Sequence, residues 1–387
     1  MCGKSFILCL LSALQLNTYA QNLTDIDFTV ERASDWTNLF QRTDGWFGGD
    51  GIYSIPLNGN EHHSSSTKTL FIFSDSMIGK LKDKKTVPGS KMINNAVAIL
   101  DNNKPKDDEL HFHWNTTPNE DAKSVFTPQT PNTTPKDYYW LGDGFVNQEK
   151  NNSIFLFAYR IQQRGSGAFG FEEVGNTLIK IKANDSPPFK NYTQKDTPFY
   201  IAKESGESGS FGAGVYVNTK KSGARDPDGY IYIYGVKGMT KKLLVARVKP
   251  KDIEDYTKWT FWDGRMWQSD MHQSASITDQ VSNELSVSAL PDGRYALIFQ
   301  HNGIGKHVSM RIGSSPFGPF GPIINIWDCS EDLERKGYFA YNAKAHPHLS
   351  AAGELLISYN INSQDFFEDL GHDPQFYRPR FIKVKFK

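Results

Sequence analysis

Cysteine is almost missing from this chain, and its placement excludes internal disulfides. Of three cysteines, Cys2 and Cys9 lie in an N-terminal apolar run, so Cys329 stands alone in the remainder and has no partner within the chain. The core must therefore hold the fold together. An excess of charge of one sign is missing too. With 43 basic and 43 acidic side chains, nothing favours nucleic acid or an anionic membrane, and a neutral partner is expected. Long apolar runs are absent after residue 20: none approaches the roughly 20 residues that a spanning helix requires. Lys4, the run "FILCLLSAL" and "TYA" before Gln21 read as a secretory signal over 1–20. The expectation is a soluble, monomeric, secreted or periplasmic protein starting at Gln21, with no membrane insertion. Helical periodicity is the last absence, and it argues against an α or α/β fold.

Short alternating β-branched and aromatic runs bounded by Gly, Asn, Asp and Pro are present throughout. Five times an opening leads into one strand, a turn, and a strongly apolar second strand. These pairs are "GGDGIYSIPL" with "TLFIFSDS", "LGDGFVNQ" with "SIFLFAYR", "GAGVYVNT" with "GYIYIYGV", "NELSVSAL" with "RYALIFQH", and "KAHPHLSA" with "ELLISYNI". Weaker runs such as "NNAVAIL" and "RFIKVKF" follow each pair. The openings are roughly 60 to 95 residues apart, longer than common propeller repeats, with the excess in Pro/Thr/Asn-rich or Gly-rich insertions. The pattern predicts an all-β, five-bladed β-propeller over 40–387, one domain, preceded by a lead-in over 21–39.

In a propeller the start of each blade's first strand and the end of its second share one mouth. That rule brings Asp50 and Asp75 together from blade one, with Asp143 and Arg160 from blade two, Glu284 and His301 from blade four, and His346 from blade five. Converging carboxylates supply an acid to protonate a leaving oxygen and a base or nucleophile to act at the anomeric carbon. Crowding in a partly dry funnel also drives their pKa values apart. Asp50, Asp75 and Glu284 are the catalytic candidates. Asp143, Arg160, His301 and His346 are expected to position substrate, and Trp46 and Trp140 to stack sugar rings, as 13% aromatic content would suit. Phe47 is expected beside Trp46 at the same mouth. No metal site is expected at the catalytic residues: no dense Asp-x-Asp-x-Asp loop occurs, and His62, His63 and "HPH" lack zinc-site spacing, although a channel of Asp, Asn and His could hold Ca²⁺. No cofactor is called for. The glycine-rich "GSGAFG" lacks the strand-to-helix context of a nucleotide loop.

The stretches "GGDGIYS", "LFIFSDSMIG" and "NNAVAI" resemble the GG-x-D and F-G-D-T openings of bacterial propeller domains long catalogued as of unknown function and partly assigned to glycoside hydrolase family 183. "NELSVSALPDGRYALIF" and "NAKAHPHLSAAGELLISYNIN" resemble their fourth and fifth blades. The resemblance implies endo-acting hydrolysis of D-arabinan, with Asp50 and Asp75 in the reactive pair region and Glu284 as a further candidate. This chain has "FSDS" where that family has F-G-D-T, which leaves sugar and linkage open. The expected function is a glycoside hydrolase acting on an oligo- or polysaccharide, possible substrates including arabinofuranosides. The alternatives are a non-catalytic carbohydrate-binding propeller, and a lyase or phosphorylase using His346, Arg160 and a Tyr.

Overall fold

The computed structural model describes residues 23–62, 67–165, 169–203 and 206–387. The signal over 1–20, the start at Gln21, and His63 lie outside the described residues. Nine of the ten paired runs quoted above form strands; "KAHPHLSA" is corrected, since the fifth first strand is Tyr338–Ala345 and ends there, and Pro347–Leu349 is a 3-10 turn. The described residues are all-β with two short α-helices, Ser34–Leu39 and Phe366–His372.

Five antiparallel sheets follow in chain order. Sheet I contains Tyr53–Pro56, Thr69–Phe73, Ala96–Leu100 and Leu110–His113. Sheet II contains Asp137–Asn147, Ser153–Gln163, Phe171–Ile181 and Tyr192–Thr197. Sheet III is built around Gly209–Asn218, Tyr230–Lys237 and Lys242–Val248, and sheet IV around Leu285–Ala289, Tyr295–Gln300 and His307–Gly313. Sheet V contains Tyr338–Ala345, Glu354–Ser363 and Pro379–Phe386. Its next strand is Phe28–Arg32, from the segment expected to be a lead-in, with Phe28 opposite Phe386 and Arg32 opposite Ile382.

The second strands are apolar without alternation because both of their faces are covered. Thr69–Phe73 and Tyr295–Gln300 are buried at every position. Each sheet packs on the next, and the apolar clusters record it. Ile55 and Leu70 meet Val146 and Leu156 between I and II, and Phe155 and Phe157 meet Ile231 and Ile233 between II and III. Tyr234 and Val245 meet Leu297 and Phe299 between III and IV; Ile298 and Met310 meet Ile357 and Ile382 between IV and V. The fifth cluster returns sheet V to sheet I through Phe71, Phe73, Leu356 and Phe381. Stacked sheets need this continuous run of large side chains on both faces.

A further small sheet stands at one end of sheet I, pairing Asp44–Gly49 with Ser76–Lys82, which also pairs with Lys91–Ile93. It corrects two expectations. Trp46 is only 1% exposed and Phe47 is fully buried. The Trp46 ring packs on Phe112 at 4.6 Å and Phe73 at 5.1 Å, so both residues belong to the core and neither can stack on a ligand. Neither α-helix was anticipated: six and seven residues are too few to display a 3.6-residue period.

Candidate functional site

The repeat openings place equivalent residues at one mouth. Pairing register slips between Leu141 and Gly144 in sheet II, Phe211 and Gly214 in sheet III, and Tyr341 and Lys344 in sheet V. Such a bulge re-aims the extra residue out of the ladder. Aligning "GGDG", "LGDG", "FGAG", "SNEL" and "YNAK" puts Asp50, Asp143, Ala213, Glu284 and Ala343 at the same step, so three of five positions carry a carboxylate.

Asp50 and Asp75 are joined through their backbones. The Asp50 amide donates to the Asp75 carbonyl at 3.1 Å, and the Ser74 amide to the Asp50 carbonyl at 2.9 Å. Gly51, at φ +65°, turns the chain here, and a Cβ on it would lie 2.8 Å from Ser74 Oγ. The Tyr341 hydroxyl donates to Asp50 Oδ2 at 2.5 Å. Burial raises the Asp50 pKa, opposed by donated bonds from Tyr341 and Tyr377 and by the charge of Lys344. Burial, then the Asp50 charge, pushes Asp75 up to about 7, against bonds from Trp140 and Asn94. Trp140 Nε1 and Asn94 Nδ2 donate to the same oxygen, Asp75 Oδ1, at 2.9 and 3.2 Å. Neither engages Oδ2, which can carry a proton. Donors and the Lys344 charge thus offset part of the rise at Asp50, whereas at Asp75 the Asp50 charge adds to burial.

Glu284 faces the same charges. Lys344 Nζ lies 2.5 Å from Glu284 Oε2, its side chain only 1% exposed, and 4.5 Å from the Tyr53 ring centroid. Burial pushes Glu284 up to about 7 against the pull of Lys344, and the Asp50 charge adds to the rise. Asp143 is also raised by burial to about 7. It accepts from the Gly144 amide at 2.8 Å and, across the sheet boundary, from the Val215 amide at 2.7 Å. Asp143 therefore ties sheet II to sheet III as well as facing the cluster.

Two other expected positioning residues, Arg160 and His346, are engaged elsewhere. Arg160 is corrected: its guanidinium lies 3.5 Å from Asp137 and 3.3 Å from Asp196 and donates to the Val174 carbonyl at 3.1 Å, all within sheet II. His346 is corrected too, being fully buried between Ser54 Oγ at 2.7 Å and Ser358 Oγ at 2.8 Å. Burial holds it well below the usual histidine range, hence neutral. His301 lies in the turn before Ile304–Gly305, which pairs with Tyr341 and Ala340; burial, then His307 and Arg311, lower its pKa. Trp140, by contrast, is half-buried at the carboxylates, with the Phe171 ring edge-on at 4.5 Å.

Sequence reasoning missed Tyr341, Tyr377, Lys344, Asn94 and Glu173. Lys344 and Tyr341 had a signal, since both stand at the fifth opening where Asp50 and Asp143 stand at the first and second. Glu173 had none, because its proximity depends on the length of the sheet II hairpin. Burial raises Glu173 to about 8, and the Tyr159 phenol, itself buried, is raised further by Glu173, Glu284 and Asp143.

Below the mouth, a cavity of about 40 Å³ is lined by Tyr53, Ser54, Glu61, Asp143, Lys344 and His346 among others. That volume is enough to hold water. Among the described residues, no group of three or more His, Cys, Asp or Glu is arranged to hold a metal ion, and no helix is long and apolar enough to cross a membrane.

Among solved structures, the fold is shared with a candidate hydrolase from Bacteroides ovatus ATCC 8483, at a TM-score of 0.71 and 21% identity over 92% of this chain and 90% of that one. At that identity the likeness speaks for fold alone. An alpha-L-arabinofuranosidase from Podospora anserina, in complex with cellotriose, aligns at a TM-score of 0.42 and 11% identity over 89% of this chain and 97% of that one. An exo-beta-1,3-galactanase from Phanerochaete chrysosporium aligns at 0.46 and 12% over 92% of this chain and 64% of that one. Those two alignments are too loose to bear on chemistry. No curated protein matches the sequence. Residues 33–386 match the family described as Domain of unknown function (DUF5005), and the chain belongs to that family.

Proposed function

We propose that this protein is an exported, monomeric glycoside hydrolase whose five sheets are the blades of a β-propeller, acting on a neutral glycan at the mouth that holds Asp50 and Asp75. The observation carrying this reading is the unequal treatment of two adjoining carboxylates. Asp50 receives two phenol donors, whereas Asp75 is held near neutrality by burial and by Asp50 itself. An ionised carboxylate beside a protonated one is what hydrolysis through an oxocarbenium-like transition state requires. Asp50 acts as base or nucleophile. Asp75 delivers its proton to the leaving oxygen. Glu284 and Lys344 form an ion pair that sets the local field, and Asp143 fixes the second and third openings.

The resemblance to family 183 favours an arabinofuranoside polymer, D-arabinan in particular, as the first substrate to try. Incubating residues 21–387 with arabinan, galactan, xylan and pyranose-based polymers, followed by product chromatography, tests the reading. Release of sugars from at least one supports hydrolysis, while binding of a glycan without cleavage would identify a carbohydrate-binding propeller.

A further inference from the structure

The hairpin between Ser153–Gln163 and Phe171–Ile181 extends beyond the carboxylate level. Gln163 still pairs with Phe171, the Gly165 amide donates to the Gly170 carbonyl at 2.9 Å, and Arg164 Nε lies 3.0 Å from Glu172. Phe169 is 52% exposed and Phe171 37%, unusual for phenylalanine on a well-paired hairpin. Phe171 sits 4.5 Å from Trp140, which donates to Asp75. Phe169 sits 6.4 Å from Phe339 of sheet V, whose ring lies 5.7 Å from Tyr341, the donor to Asp50.

Two aromatic arcs therefore leave the two carboxylates and meet at one hairpin. Since sheets II and V both adjoin sheet I, the hairpin bridges the mouth on the sheet I side. The small sheet of Asp44–Gly49 and Ser76–Lys82 stands at that same end. A polymer lying across the carboxylates would need to leave on both sides, and here one is walled.

Resting on the hydrolase reading, we infer that the arcs form a blind subsite for the terminal ring of a neutral glycan, its apolar face stacked on Phe169 and Phe171, so that the enzyme works from chain ends. Aromatic faces suit the C–H side of a sugar, and Asp50 and Asp75 supply the polar contacts.

Arabino-, galacto- and xylo-oligosaccharides of three to eight residues, labelled at the reducing end, are the probes. The wild type should shorten one ladder stepwise from the unlabelled end. The Phe169→Ala/Phe339→Ala double variant, which opens the ring, should lose about tenfold in terminal release and yield mid-chain fragments. Mid-chain fragments from the wild type at first sampling overturn the chain-end inference and leave hydrolysis standing. If no ladder is cleaved, the hydrolase reading fails and tryptophan fluorescence of Asp50→Asn decides the subsite. Affinity that levels off by two or three residues supports it; affinity that grows across the ladder, or no binding, overturns it.

Discussion

The bond from Tyr341 to Asp50 defines how the site distributes its protons. Removing a donor that favours the ionised form raises the carboxyl pKa. Tyr341→Phe should move the acidic limb of the kcat/KM profile to higher pH and lower kcat about tenfold, within the range of a charge-assisted bond; an unmoved limb would detach Tyr341 from Asp50. Asp75, Asp143 and Glu284 all titrate near 7, above the ordinary values of 3.8, 3.8 and 4.5 expected of the unfolded chain. A raised acid stabilises the fold fully below its unfolded pKa, and that contribution is lost as pH rises through the folded one. Tm should therefore fall between about pH 4 and pH 7 and level off above, and Asp75→Asn should flatten the slope. Acids with lowered values, among them Asp101 and Asp263, act oppositely below about pH 4, so the stability maximum should lie near pH 4.

At the scale of elements, Phe28–Arg32 closes sheet V by pairing with the last strand. Deleting residues 21–32 exposes the Pro379–Phe386 edge, and such edges invite association. Lower Tm and concentration-dependent aggregation are the expected outcome, checked by calorimetry and light scattering; an unchanged monomer would show the strand to be dispensable. The strands were legible in the sequence because the second of each pair is buried on both faces and reads as an unbroken apolar run. The closing strand was not, since "FTVER" has a half-exposed, mixed pattern whose meaning depends on a partner more than 300 residues away. Among site residues, Asp50, Asp75 and Glu284 could be found from position in the repeat. Arg160 and His346 occupied plausible positions too, but the ion partners of one and the serines flanking the other come from contacts that no spacing reveals. Trp46 misled for a related reason: a glycine-flanked tryptophan looks exposed until a second small sheet covers it.

For the whole molecule, Cys329 is fully buried and its thiol is pushed up to about 12 by burial and by Asp332 and Asp328. The native protein should resist thiol reagents, and reductant should leave Tm unchanged; a reductant-dependent shift would reveal an intermolecular disulfide. Five sheets joined by five shared cores make the mouth a rigid frame, so an amide replacement should change the chemistry with little effect on folding. Division of labour between Asp50 and Asp75 is the central claim, and it is tested most directly by comparing a natural glycoside with an activated aryl glycoside of the same sugar. An aryl leaving group needs little protonation. Asp75→Asn should lose about 10³-fold in kcat/KM on the natural substrate and far less on the aryl one, whereas Asp50→Asn should lose about 10³-fold on both. Equal losses for Asp75→Asn on the two substrates, or wild-type turnover by Asp50→Asn, would contradict the account.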